Sequence, residues 1–186
     1  NQLIAASTTT VSVFDYVLDN VTPANTLSLF NDDPANGATL ALELSPNNAR
    51  LALVNPGGNA SFAGVNVIND YDSANAHDAF GAWKIEASPT SAAFSPLNSD
   101  GLDSDSDYLL ASTATDLIFF DLPRHAEISR STPASSCSAG EFDQVEFSRG
   151  GDIALAKRNC GGTRGTEFHW VAPAAGFGNA ASAIGV

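Results

Sequence analysis

The sequence predicts an all-β, loop-rich fold of about four antiparallel repeat units arranged like the blades of a propeller. Short apolar or alternating runs recur between turn residues along the chain, which is typical of antiparallel strands, and helical periodicity is scarce. Glycine and proline contribute 15 and 9 of the 186 residues, and this content favours long loops. An irregular β-sandwich is the alternative, because the repeat is weak and its units are unequal.

A hairpin recurs four times along the chain and is the strongest evidence for repeat units. The first and third copies are the most alike, since each pairs two short apolar strands and ends on an aspartate, Asp15 or Asp121. The other two copies have longer, glycine-containing tips. The four copies span residues 3–15, 51–68, 109–121 and 153–171. They supply two strands of each predicted unit.

Three of the hairpins are preceded by a further strand that ends in a serine turn, at Ser45, Ser95 and Ser148. These serines are 50 and 53 residues apart, close to the length of a four-stranded propeller blade. The first hairpin lacks such a strand, and we expect the C-terminal run 180–186 to supply it by strand exchange and close a ring. The length suits one well-buried core, so we predict a single all-β domain over residues 1–186.

The chain is strongly acidic, with 21 Asp and Glu residues against 8 Lys and Arg residues and a formal net charge of -13. Such a surface repels phosphate groups and anionic lipid, so we exclude nucleic-acid binding. No apolar stretch is long enough for a bilayer, and we expect no membrane insertion. Metal ions and a surface protein remain as partners of what we expect to be a monomer.

Cys137 and Cys160 are the two cysteines and lie 23 residues apart. Their spacing matches neither a zinc cage nor a thioredoxin-type motif, so we predict one structural disulfide. Disulfides persist outside the reducing cytosol. We therefore expect a secreted or outer-surface protein whose signal peptide has been removed, since the sequence begins at Asn1 without an initiator Met.

The motifs of common catalytic sites are absent from the sequence. There is no G-x-S-x-G nucleophile elbow, phosphate-binding loop, H-E-x-x-H pair or G-x-G-x-x-G turn. Carboxylates are so frequent that no glycosidase-type pair stands out. The sequence therefore predicts a protein that is not an enzyme, and a hydrolase with a dispersed carboxylate site ranks last among the alternatives.

The three histidines, His77, His125 and His169, are the most informative polar residues. His77 and His125 fall in the same connection of neighbouring units, between the third and fourth strands, so both are expected on one face of a propeller. Trp83 follows on the fourth strand and can wall the same pocket. Two imidazoles beside an indole suit copper better than calcium and are too few for structural zinc. We predict copper at His77 and His125, with His169 as a substitute.

A small, acidic, exported protein with few histidines and a tryptophan close to one of them resembles the copper-repressible surface copper-binding proteins of methanotrophic bacteria, the MopE and CorA type. These proteins hold one Cu(I) with two histidines and a tryptophan oxidised to kynurenine. The resemblance implies that His77 and His125 are the ligands and that Trp83 is the oxidised residue beside the metal. Trp83 lies six positions after His77, and Trp170 lies directly after His169. Either tryptophan is thus near a histidine, and the choice of tryptophan and of histidine pair stays open.

Alternating aspartates form a second candidate metal loop at Asp103, Asp105 and Asp107. At this spacing their oxygens can reach one calcium ion from a single loop. The loop is not an EF-hand, because Tyr108 and Ala114 occupy the positions of its glycine and its bidentate glutamate. Calcium is therefore a second metal hypothesis, and a solvated acidic turn is the alternative.

The leading functional hypothesis is an exported, non-catalytic protein that binds copper for acquisition of the metal. The alternative is a propeller-type module that binds a glycan or a protein through its loop face, with the histidines incidental. The two hypotheses differ in whether loss of His77 and His125 removes binding.

Overall fold

A computed structural model provides the structure of the chain, and it describes fourteen segments. These are residues 2–6, 10–15, 25–28, 41–47, 50–55, 64–69, 79–84, 89–96, 108–124, 126–137, 139–151, 153–161, 165–171 and 183–185. Within them every regular element is a β-strand and all strand pairs are antiparallel, so the predicted all-β class is confirmed. These segments contain no long apolar helix of the kind that spans a membrane.

The described strands form four sheets that follow one another along the chain. The first sheet contains β1 (Gln2–Ala6), β2 (Thr10–Asp15) and β3 (Asn25–Ser28) in that order. The second contains β4 (Ala41–Leu44), β5 (Arg50–Asn55), β6 (Gly64–Asn69) and β7 (Ala79–Lys84). The third contains β8 (Pro89–Phe94), β9 (Tyr108–Thr113), β10 (Leu117–Asp121) and β11 (Ala126–Ser131). The fourth contains β12 (Glu141–Phe147), β13 (Ala154–Asn159), β14 (Thr166–Val171) and β15 (Ala183–Gly185). Each sheet is an up-and-down meander.

The expected strand exchange at the C-terminus was wrong. β15 pairs with β14, with Phe168 opposite Ile184, and so becomes the outer strand of the fourth sheet. It does not join the first sheet, which has three strands among the described residues. The reason is local: eleven residues separate β15 from β14, far fewer than separate it from the first sheet, so pairing with β14 closes a smaller loop and loses less entropy.

The three predicted serine turns are confirmed and share one hydrogen-bond pattern. In each turn the serine N–H donates to the carbonyl oxygen of a residue at the start of the next strand, and the serine Oγ accepts the N–H of that same residue. The N···O distances are 3.0 and 2.9 Å for Ser45 with Arg50, 2.9 and 3.2 Å for Ser95 with Tyr108, and 2.7 and 3.3 Å for Ser148 with Ile153. This repeated pair of bonds fixes which residues of the three sheets are equivalent.

Three strands of the third sheet, β8, β9 and β10, are buried on both faces and form the centre of the core, whereas β11 is largely exposed. We call the face of a sheet that contacts the preceding sheet its back face, and the face that contacts the following sheet its forward face. The second and third sheets meet through Ala52, Val54, Val65, Val67, Ala92, Phe94, Leu109, Ala111, Ile118 and Phe120. The third and fourth sheets meet through Ala93, Leu110, Leu117, Phe119, Phe142, Val145, Ala154, Ala156 and Val171. Alternation along each strand places successive side chains on opposite faces.

The predicted disulfide joins Cys137 to Cys160, the residue that follows β13. Cys137 lies between β11 and β12, in residues 132–140, which we call the segment before β12. Gly140 lies in the same segment with a φ of 151°, and a Cβ at this position would collide with the backbone of Asn159. Only glycine avoids this collision. The disulfide and Gly140 therefore hold the segment tightly against the fourth sheet.

Candidate functional site

Most residues of the predicted metal sites lie outside the described residues. This holds for His77 and His125 and for the aspartates of the candidate calcium loop, Asp103, Asp105 and Asp107. Their connections are as expected, since His77 falls between β6 and β7 and His125 between β10 and β11. The copper and calcium sites therefore stay predictions.

Trp83 lies on β7, the outer strand of the second sheet, where its backbone pairs with Val65. The expectation that Trp83 follows the His77 connection on a fourth strand is therefore confirmed. Its side chain is outside the described part of the structure. The proximity of its indole to either imidazole is thus a prediction of the sequence only.

His169 and Trp170 point to opposite faces of β14, as the alternation of a strand predicts. His169 is fully buried, with its ring edge-on to Phe142 at a centroid distance of 5.2 Å. Trp170 lies on the forward face and is half-buried. His169 is the substitute ligand of the copper prediction. In the structure its side chain is enclosed by the core, and its Nε2 lies 3.3 Å from Glu167 Oε2.

Two carboxylates that sequence analysis did not single out meet in a cavity of about 290 Å³. The cavity lies where the serine-turn ends of β4, β8 and β12 come together, and we call it the serine-turn pocket. Its lining residues are Glu43, Pro46, Ala93, Phe94, Pro96, Glu146, Phe147, Ser148 and Arg149. Three sheets therefore contribute to a single concave site, the usual setting of a binding pocket.

The charged residues of the serine-turn pocket differ in burial. Glu43 is half-buried, whereas Glu146 and Arg149 are exposed. Burial raises the pKa of Glu43 above its ordinary value, and the negative charge of Glu146 raises it further. Gln144 Nε2 donates to Glu146 Oε1 at 2.6 Å and orients that carboxylate. The pocket thus holds a carboxylate, Glu43, that a positive charge would stabilise.

A sequence signal for this pocket existed in the repeat. Glu43 and Glu146 each lie two positions before a repeating serine, and Ala93 occupies the same position in the third sheet. Equivalent positions of repeat units lie at the same end of their sheets. Comparison of the residues around each serine would therefore have predicted that these two carboxylates lie close together.

A second cluster surrounds the buried carboxylate of Glu167 on β14. Ser135 Oγ donates to Glu167 Oε2 at 2.5 Å, the Ser136 backbone N–H donates to Oε1 at 2.9 Å, and the Ser136 hydroxyl also donates to Oε1. Burial alone raises the pKa of Glu167, but the hydrogen bonds from Ser135, Ser136 and His169 outweigh it and lower this pKa to about 2. Glu167 is therefore ionised and holds the segment before β12 in place.

His169 completes this cluster in its neutral form. Burial lowers the pKa of His169 more than the adjacent Glu167 carboxylate raises it, and Arg158 lowers it slightly further. The neutral ring donates Nε2–H to Glu167, and Nδ1 has no hydrogen-bond partner among the described atoms. A Ser–His–carboxylate triad needs the histidine between the other two groups. Here the carboxylate lies in the middle, so His169 cannot take a proton from either serine.

Glu167 also lies close to both cysteines. The Sγ atoms of Cys137 and Cys160 and one Glu167 oxygen lie within 4.8 Å of one another. The two sulfurs are bonded to each other, whereas a metal site requires thiolates. This cluster therefore helps to hold the segment before β12 in place.

Comparison with known proteins provides information about the fold. No protein-family model and no curated protein matches the chain. Among solved structures, the chain is similar to a WD40-type chain in the crystal structure of the Mitotic Checkpoint Complex, with 14% sequence identity and a TM-score of 0.65. The match covers 94% of this chain and 45% of that chain. The chain thus spans less than half the length of this neighbour, and identity this low shows the fold alone.

Proposed function

We propose that this chain is a non-catalytic binding module of β-propeller type, whose partner is a protein that inserts a positively charged side chain into the serine-turn pocket. One observation carries the proposal: Glu43 and Glu146, at equivalent positions of the second and fourth sheets, line the same cavity of about 290 Å³. This proposal follows the alternative that the sequence left open, a protein-binding module with incidental histidines.

The arrangement of the sheets supports a propeller. Four meanders follow one another, and β8 of the third sheet contacts both β4 and β12. In a propeller the first strands of successive blades lie around a central channel. A pocket between β4, β8 and β12 then opens on that channel, where a partner's side chain can enter. The WD40-type neighbour supports the same arrangement.

The chemistry of the pocket supports a cationic ligand group. A positive charge beside Glu43 compensates for its burial and for the repulsion from Glu146. Phe94, Phe147 and the prolines give the pocket apolar walls, and a guanidinium group stacks well on aromatic faces. Arg149 adds one positive charge to the two carboxylates of the lining, so the pocket presents a net negative charge to the ligand. A neutral glycan offers no charge to these carboxylates.

Titration calorimetry with N-acetyl-arginine amide tests this proposal. We expect saturable binding at one site, weakened about fivefold by Glu43→Gln and by Glu146→Gln, as expected for a partly exposed ion pair. Glu141→Gln removes one exposed carboxylate outside the pocket and is the matched control for net charge. Binding should also strengthen as the pH rises through the raised pKa of Glu43.

Two results of this titration would contradict the proposal. One is an equal loss of affinity in Glu43→Gln and Glu141→Gln. This would mean that the overall negative charge of the protein, and not the pocket, attracts the arginine amide. The other is saturable binding of a neutral trisaccharide such as maltotriose with no binding of the arginine amide. The second result would favour the glycan-binding alternative.

We also propose that the protein is exported. The Cys137–Cys160 disulfide supports this, because such bonds are rare in the reducing cytosol. The copper hypothesis depends on His77 and His125 and is decided by copper analysis of protein purified from its native source. Metal-free protein that cannot take up added copper would exclude it.

A further inference from the structure

The cluster around the disulfide contains three groups that become metal ligands when the sulfurs are reduced. Cys137 Sγ, Cys160 Sγ and one carboxylate oxygen of Glu167 lie within 4.8 Å of one another. Zinc binds thiolate sulfur at about 2.3 Å and carboxylate oxygen at about 2.0–2.2 Å, so two ligands of one tetrahedral ion are about 3.4–3.8 Å apart. Rotation of the freed thiolates is enough to place one ion between the three groups.

The backbone around these ligands is held by contacts that do not depend on the disulfide. Arg158 Nη2 donates to the carbonyl oxygen of Gly140 at 3.2 Å. The Cys160 N–H donates to the carbonyl oxygen of Gly165 at 3.1 Å. The Cα atoms of the two cysteines lie 5.2 Å apart, and these contacts keep them near each other after reduction. The ligands are therefore preorganised in the reduced chain.

Glu167 differs from the many exposed acidic residues of the chain. Its side chain is buried, with the residue only 3% exposed, and two donors fix the direction of its carboxylate. His169 Nε2 lies 3.3 Å from Oε2, and the Ser136 N–H donates to Oε1 at 2.9 Å. Carboxylates that bind metal ions are oriented by outer hydrogen bonds of this kind. His169 is thus a positioning residue for the ligand.

An ion at this place has to compete with one hydrogen bond. The carboxylate accepts hydrogen bonds from Ser135, from the N–H and the hydroxyl of Ser136, and from His169. A carboxylate has about four acceptor positions, so the ion must replace one donor. Ser136 is exposed, and its hydroxyl can rotate towards water while its N–H keeps its hydrogen bond. The ion therefore displaces a single serine hydroxyl.

We propose that the reduced chain binds one zinc ion through Cys137, Cys160 and Glu167, with water as the fourth ligand. Zinc accepts three protein ligands and one water in a tetrahedral site. Cys137 is half-buried, so the ion and the water reach the site from solvent. Two thiolates favour zinc over magnesium or calcium, and the carboxylate favours zinc over the softer Cu(I).

Reduction has to precede binding, because the two sulfurs are bonded to each other in the structure. A dithiol reductant supplies two electrons and two protons: the S–S bond breaks, both cysteines become thiols, and the dithiol closes to a disulfide. Zinc then binds the two thiolates, and both thiol protons pass to solvent. The same sulfurs form either the disulfide or the zinc site, so the two states exclude each other.

The two states suit two environments. Export, as proposed above, takes the chain from a reducing to an oxidising environment. In the reduced chain zinc replaces the cross-link between the segment before β12 and the residue that follows β13, and the ion has to leave before the disulfide forms. The zinc site is independent of the ligand of the serine-turn pocket. It also shares no residue with the copper prediction at His77 and His125.

Absorption spectroscopy with Co²⁺ tests the site, because Co²⁺ occupies zinc sites and its bonds to thiolates give an intense near-ultraviolet band. The full chain is reduced with dithiothreitol, separated from it without air, and measured in excess Mg²⁺, which occupies exposed carboxylates. We expect one equivalent of Co²⁺ to produce the band and one equivalent of Zn²⁺ to abolish it. The oxidised chain should give no band. A reduced chain without the band, or equal zinc binding by both forms, would overturn the proposal.

Variants of the reduced chain identify the ligands. Glu167→Gln should weaken zinc binding by about tenfold to a hundredfold, at least the loss that removal of an outer-shell partner causes. Cys137→Ser should abolish the band of the two-thiolate site. Ser136→Ala removes only the competing hydroxyl, so zinc affinity should be unchanged or higher, with circular dichroism as the measure of folding. Equal weakening by Glu167→Gln and Ser136→Ala would show that zinc senses the position of the segment, and Glu167 would be refuted as a ligand.

Discussion

Glu167 shows how one ionised side chain can order a whole segment. Its carboxylate accepts hydrogen bonds from Ser135 and Ser136, which lie 32 and 31 residues away in the sequence. The pKa of Glu167 is about 2 in the folded state and 4.5 for the free side chain, so between these pH values the folded state binds fewer protons than the unfolded state. The stability gained is therefore complete above pH 4.5 and is lost as the pH falls towards 2.

We predict that Glu167→Gln lowers the free energy of unfolding at pH 7 by about 1.5–3 kcal/mol, the contribution of hydrogen bonds to a charged group. The variant should also lose less stability than the natural chain between pH 4.5 and pH 3, because the titrating group is gone. Urea unfolding over this pH range measures both effects.

The exposed Glu141 provides the control for this experiment. Glu141→Gln should change stability by no more than about 0.5 kcal/mol and keep the acid sensitivity of the natural chain. An equal acid sensitivity in Glu167→Gln would mean that other groups, such as the buried His169, dominate the titration. The role of Glu167 would then be contradicted.

The serine turns organise the structure at the scale of its elements. Each turn joins the first strand of a sheet to the second and sets the register of that sheet by two hydrogen bonds. In the fourth sheet, Gly151 adopts a φ of 73° and donates its N–H to the Ser148 carbonyl oxygen at 3.0 Å. Glycine adopts this conformation without strain.

We predict that Ser95→Ala lowers the free energy of unfolding by about 1 kcal/mol, because the Tyr108 N–H loses the Ser95 Oγ that accepts it at 3.2 Å. Ser129→Ala is the matched control, since the Ser129 hydroxyl is buried and has no hydrogen-bond partner in the described part of the chain. That change should be neutral or slightly stabilising. Chemical denaturation distinguishes the two, and equal effects would refute the assigned role of Ser95.

The elements that sequence predicted best are those defined by local pattern. The hairpins, the serine turns and the disulfide all depend on residue types at fixed spacing, and the structure contains all three. The partner of β15 was not predictable in this way, because an edge strand accepts any adjacent strand and the sequence specifies only the pattern of the strand itself. Glu167 was missed since its donors are remote in sequence.

At the scale of the whole molecule, the repeat determines where function can lie. Equivalent positions of successive sheets recur at the same end, and this brings Glu43 and Glu146 to one pocket although they are more than a hundred residues apart. Composition alone could not distinguish these two from the other acidic residues. Most residues of the metal hypotheses, including His77, His125 and the three aspartates, lie outside the described segments, so the serine-turn pocket carries the functional account.

Mapping the ligand by nuclear magnetic resonance tests the central claim most directly. We predict that N-acetyl-arginine amide shifts the backbone amide signals of residues 43–45, 93–95 and 146–149, which surround the pocket. Glu43→Gln should reduce these shifts at the same ligand concentration, whereas Glu141→Gln should not. Shifts spread evenly over the acidic surface, or confined to the acidic residues 100–107, would contradict the pocket as the binding site.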